Sequence, residues 1–167
     1  HRWLNMSLGV AVIVAIYGLI QLFGGAAIHQ GSRVDASLGN AIYMAVYMLF
    51  HGFVAAYMFY VERAKGVSAL VFKQWAYGAF AVLSAFMVFE TQTRGTILGL
   101  IGGVMLTLFL YSIFGKGEEK KWRWISVSII FLMIIAGVVF WSNRDASFIQ
   151  KSPTLQRFAS ISWSNTS

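Results

Sequence analysis

Five runs, at 6–28, 40–61, 67–89, 96–114 and 124–141, carry at most one charged side chain each, and each is close to the roughly 20 residues that a helix needs to cross a bilayer core. This repetition constrains the fold more than any other feature of the chain. Backbone polar groups in hydrocarbon must be satisfied within their own segment, and the runs exceed the roughly ten residues of a barrel strand. The sequence therefore predicts an all-α polytopic membrane helix bundle over residues 1–142, with 143–167 opening an external loop.

Composition agrees. Of the 167 residues, 58% are hydrophobic and only 11% charged, against about a quarter charged in soluble domains. The absence of cysteine removes a disulfide framework, a thiolate nucleophile and a Cys-based zinc site from consideration. The net charge of +7 is spread over the connecting segments. It reads as membrane orientation, and no nucleic-acid partner is expected. The first run belongs to the repeating series and is not read as a cleaved signal peptide. The chain begins with His1 and reads as a piece of a longer protein.

Orientation follows from the basic residues. Arg2, Arg63, Lys65, Lys73, Lys116, Lys120, Lys121 and Arg123 fall on one side of the predicted spans, and Arg33, Arg94, Arg144, Lys151 and Arg157 on the other. The positive-inside rule puts the first, richer group in the cytoplasm, so Arg33, Arg94 and the tail from Ser142 are expected outside. Trp3, Trp75, Trp122, Trp124 and Trp141 sit near predicted span ends, as indoles do at headgroup level. The only proline, Pro153, lies in the tail, and the sequon-like "NTS" at Asn165 is a weak pattern at a chain end.

Two stretches could carry chemistry. "ETQTRGTILGLIGGV", residues 90–104, places Glu90 and Arg94 one helical turn apart before an apolar run. Gly95, Gly99 and Gly103, spaced by four, present a bare backbone face for close helix packing. Arg94 either snorkels and pairs with Glu90 or offers a planar fork to phosphate oxygens at a helix N-terminus that already favours an anion. The second stretch, "GSRVDASLGNAIYMAVY" at 31–47, supplies Arg33 beside Asp35, with Asn40 as a helix N-cap. It reads equally as a solvated loop.

His29 is an interfacial residue or a base, and His51, deep in the second span, is a helix–helix hydrogen-bond partner. No His and carboxylate at metal-ligand spacing and no carboxylate pair for glycoside hydrolysis are present, so no metal and no cofactor are expected.

"RVDASLGNAIYMAVY", "TQTRGTILGLIGG" and "SPTLQRFASIS", in that order, resemble the O-antigen ligase and O-antigen polymerase family of bacterial membrane glycosyltransferases. The resemblance covers essentially the whole chain and is weakest in the first span. Thr93–Gly95 opening a glycine-rich helix and Arg33 to Asn40 are its most specific parts. It implies a protein of the bacterial inner membrane, active in lipopolysaccharide or polysaccharide synthesis. Such a protein carries ten or more helices and a large periplasmic loop beginning near Ser142.

The resemblance also implies that Arg33 and Arg94 hold the diphosphate of an undecaprenyl-linked glycan at the outer face, with Glu90, Asp35, Asn40 and Gly95 supporting them. The acceptor would be a glycan, a lipid or a protein. In such proteins a histidine of the large loop is a candidate base, and that role is not carried over to His29 or His51. Many relatives have proline after the loop asparagine, whereas Ala41 stands here. On this reading the fragment is inactive alone and the full-length protein is an enzyme. A non-catalytic membrane scaffold and a transporter segment are the rival readings.

Overall fold

The computed structural model describes residues 2–29, 31, 33–64, 71–114, 120–144, 146, 149, 151 and 155. The fold is all-α, with helices α1 (Arg2–Leu22), α2 (Ala41–Ala64), α3 (Val71–Glu90), α4 (Arg94–Phe114) and α5 (Lys120–Ser142), and a short 3-10 turn, Ala36–Leu38, between α1 and α2. All five helices are long and apolar enough to cross a membrane. Most of the expected external segment 143–167, Lys65 and Lys116 of the predicted cytoplasmic connections, the Trp122 side chain and Asn165 lie outside the described residues.

The chain divides into a unit spanning His1–Ile97 and a second spanning Leu98–Ser167. In the first, α1, α2 and α3 pack together, α2 against α3 most extensively. The buried stripe of α1 is Leu8, Ala11, Ala15, Gly18 and Gln21, and that of α2 includes Ala41, Met44, Ala45, Met48, Ala55 and Met58. Steps of three and four residues keep each stripe on one helical face. Small residues bring backbones close, and fully buried Met44, Met48, Met58 and Met87 fill the irregular space between them. Large apolar residues such as Phe50, Phe72 and Val82 point outward, the arrangement expected where the surrounding solvent is lipid.

Gly18 and Gly52 lie close to neighbouring helices. A Cβ at Gly18 would collide with the Met87 side chain, and one at Gly52 would meet the Ser84 Cβ at 3.1 Å. The Ser84 Cβ sits on the α3 backbone and cannot swing away, so Gly52→Leu is expected to lower stability by about 1–3 kcal/mol through overpacking. Gly9→Leu is the control, because nothing lies within 4 Å of its position. Thermal melting of both variants in detergent checks this: a drop for Gly52→Leu alone is expected.

At the other end of this unit, Glu62 is buried in the last turn of α2, and Lys73 of α3 donates to its Oε1 at 3.4 Å. Tyr77 reaches across from α3 to Asn5 of α1 at 2.7 Å. The second unit holds most of α4 together with α5. There Arg123 donates from Nε to the Ser112 carbonyl at 2.9 Å.

Helix ends differ from the sequence expectation where local capping decides them. α1 stops at Leu22, not at residue 28. Gly24 adopts φ 77, its N–H reaches the Gln21 carbonyl at 3.0 Å, and the Gly25 N–H reaches Ile20 at 2.9 Å. This paired pattern terminates a helix on a left-handed glycine. α2 runs three residues beyond residue 61, α4 starts at Arg94 and not at residue 96, and α5 starts at Lys120 and not at residue 124. Polar residues thus extend these helices beyond their apolar runs.

Candidate functional site

Early termination of α1 leaves a connection from Phe23 to Asn40, and one side chain organises it. Gln21, 2% exposed, donates from Nε2 to the Ala27 carbonyl at 2.7 Å and to Asp35 Oδ1 at 2.8 Å. Its Oε1 accepts the Ala36 N–H at 2.8 Å. An amide has both donors and acceptors, so Gln21 can tie a carboxylate, a carbonyl and an N–H to the end of α1 at once. Ala36 adopts φ 48, a left-handed conformation rare for a side chain with a Cβ. Such a conformation persists only where the surroundings over-determine it.

Asp35 is fully buried, and its other oxygen, Oδ2, accepts both the backbone N–H and the ring Nδ1 of His29, each at 3.0 Å. Burial pushes the Asp35 carboxyl up. Hydrogen bonds from Gln21 and from the backbone and ring of His29, with the electrostatic attraction of His29, outweigh it and hold the carboxyl below its ordinary value of 3.8. The stabilisation from this carboxylate is therefore complete above the unfolded-state value and is lost as pH falls through the depressed folded one. Thermal melting should fall off below about pH 4, and the Asp35→Asn variant should lack that part of the acid loss.

Arg33 of the same connection bonds a different part of the chain. Its Nε donates to the Thr91 carbonyl and its Nη2 to Thr93 Oγ1, both at 3.0 Å. Thr91, Gln92 and Thr93 link α3 to α4, and Gln92, at φ 53, breaks the helix between them. The Thr91 hydroxyl donates to the Val88 carbonyl at 2.7 Å, closing α3, and the Thr93 carbonyl accepts the Ile97 N–H at 3.1 Å, opening α4. Arg94 follows as the first residue of α4.

This corrects one sequence expectation. Glu90 ends α3 and Arg94 begins α4, so the two are not one turn apart on a single helix. The reversed backbone at Gln92 is the physical reason. Asn40 caps α2, with Oδ1 accepting the Ile42 N–H at 2.8 Å and its carbonyl the Met44 N–H at 3.0 Å. Of the three spaced glycines, Gly95 and Gly99 are exposed and Gly103 is half-buried, and a Cβ at Gly95 would meet nothing within 4 Å.

Arg33 thus reaches Thr93, the residue before Arg94, and Arg33 and Asp35 share one loop whose far end is pinned by Gln21 and His29. Sequence reasoning missed Gln21, the Asp35–His29 pair and the part of Thr91 and Thr93 as acceptors for Arg33. A lone amide just before Gly24 and Gly25 in an apolar run, and hydroxyls flanking the α3–α4 break, were the available signals. His51 lies elsewhere: its Nδ1 donates to the Tyr47 carbonyl and its Nε2 accepts from Ser7 Oγ, both at 2.8 Å, tying α2 to α1. A cleft of about 500 Å³ in the second unit is lined by Ser112, Lys120, Arg123, Trp124 and Val127, none of them a sequence candidate. Among the described residues no cluster of three or more His, Asp or Glu could hold a metal ion. The chain matches no family model, no curated protein and no solved structure.

Proposed function

We propose that this chain is part of a membrane glycosyltransferase of the O-antigen ligase or polymerase type, which transfers a glycan from a polyprenyl-diphosphate donor to an acceptor glycan, lipid or protein. The observation that carries the reading is the pair of 3.0 Å hydrogen bonds from the Arg33 guanidinium to Thr91 and Thr93. They tie a cation from the α1–α2 loop to the residue before Arg94, at the start of α4. A guanidinium held at the α3–α4 link, with Arg94 opening the helix that follows, would favour a diphosphate over any neutral ligand.

The leaving group of such a transfer is the lipid diphosphate, and stabilising its growing negative charge is what this cluster would contribute. Arg33 and Arg94 act as the binding fork. Asp35, through Gln21, fixes the loop that carries Arg33. The charge pattern supports a site on the outer face of the membrane. The test is binding of undecaprenyl diphosphate to the full-length protein in detergent. Wild type should bind it in preference to undecaprenol, and Arg33→Ala and Arg94→Ala should each weaken binding at least tenfold, about 1.4 kcal/mol or more. Equal binding of the diphosphate and the alcohol would remove the reading.

A further inference from the structure

The cleft between the end of α4 and the start of α5 has no part in the glycosyltransferase reading. We infer that it holds one anionic phospholipid, with the phosphate between Lys120 and Arg123 and an acyl chain along Ile125, Ile129 and Leu132.

Lys120, Lys121 and Arg123 stand in the first turn of α5 with no acid among them. A cation there opposes the helix dipole, so these side chains do not stabilise the helix on their own account. Glu118 and Glu119 precede the helix, outside the described residues, and the run 116–123 still carries four cations to two acids. Lys120 and Arg123 line the cleft of about 500 Å³ together with Ser112 of α4, Trp124 and Val127. The 2.9 Å bond from Arg123 Nε to the Ser112 carbonyl uses one of five donors and fixes the plane of the guanidinium. Its two Nη groups form the fork that phosphate oxygens accept in pairs.

A second hollow, of about 470 Å³, shares Trp124 with the first. Lys121 stands at its head, and Ile125, Ser128, Ile129 and Leu132 line it toward the middle of α5. Steps of four, three and four from Lys121 through Ile125 and Ser128 to Leu132 keep these residues on one helical face. Trp124, 71% exposed, stands between the two hollows. A cationic pocket and an apolar channel are thus one indole apart, the layout of a phospholipid with its phosphate and its chain. A free phosphate ester would use the pocket alone, and a zwitterionic headgroup would bring its own cation against three others. The charge count puts this end of α5 at the cytoplasmic face, where the leaflet is rich in anionic lipid.

The test uses the full-length protein in phosphatidylcholine liposomes that contain either acyl-brominated phosphatidylglycerol or acyl-brominated phosphatidylcholine. The readout is the bromine quenching of tryptophan fluorescence that disappears in Trp124→Phe, which isolates this indole from the others. Phosphatidylglycerol should be preferred at Trp124 by at least tenfold. Lys120→Gln and Arg123→Gln should each cut that preference about fivefold, the usual contribution of one cation near an anionic lipid. Lys120→Gln spares the bond to Ser112 and so separates headgroup binding from the anchoring of α5. Arg2→Gln removes an exposed cation of the first unit, on the same predicted side of the membrane, and should leave the preference unchanged.

Equal quenching by the two brominated lipids would overturn the inference. So would a preference that survives in the Lys120→Gln, Arg123→Gln double variant, or one that Arg2→Gln lowers as much as Lys120→Gln does. Glycerol 1-phosphate added to the medium should not relieve the quenching. If it does, the cleft takes a soluble phosphate ester and the lipid assignment falls. None of these outcomes touches the transferase reading, which stands or falls on diphosphate binding at Arg33 and Arg94.

Discussion

Gln21→Leu is expected to destabilise the protein by about 2–6 kcal/mol, the largest stability effect of any single substitution considered. Leucine matches the volume and keeps the helix, but it deprives buried Asp35 Oδ1 and the buried Ala36 N–H of their partner, along with the Ala27 carbonyl. Each buried group so stranded costs about 1–3 kcal/mol, and more when charged. The damage should be local at first, because the α2–α3 packing does not depend on Gln21. Trypsin cleavage after Arg33 should therefore become fast at temperatures where the helices persist, and the melting temperature should drop. A variant with unchanged melting and a protected Arg33 would show that the loop is held by something other than this amide.

The spans were legible because a membrane leaves a chain few options. Residues such as Ile13, Phe131 and Leu132 lie in long apolar runs whatever their neighbours are, and they emerge facing outward. The cap at Asn40 was legible for a similar reason, since its signal is local. The end of α1 was also written locally, in Gly24 and Gly25, but the apolar residues beyond them, Ala26 to Ile28, masked it.

The candidate site was legible in part. Arg33 and Arg94 stood out as charges in a charge-poor chain, yet the bonds that carry Arg33 to Thr91 and Thr93 cross 58 and 60 positions of sequence, and no local pattern encodes such pairing. That Glu90 closes one helix and Arg94 opens the next was not legible, because spacing alone cannot show that the helix breaks at Gln92. The pair formed by His29 and Asp35 spans only six positions. It depends on a loop folded back upon Gln21, a tertiary event that the hydrophobic pattern does not record.

The charge-preserving substitution at Arg94 tests the central claim most directly. If Arg94 binds the diphosphate through its planar fork, lysine keeps the charge and loses the second, parallel donor, so Arg94→Lys should be nearly as damaging as Arg94→Ala. Loss of a donor to a developing oxyanion lowers turnover by about 100-fold to 1,000-fold. An arginine that merely snorkels, or pairs at the surface for about 0–1 kcal/mol, would be replaced by lysine almost without effect. The measurement is glycan transfer from an undecaprenyl-diphosphate-linked donor by the full-length protein, at matched levels of folded protein, with Arg33→Lys alongside. The account predicts at least a 100-fold loss in the Arg94→Lys protein; full activity in that protein would contradict it.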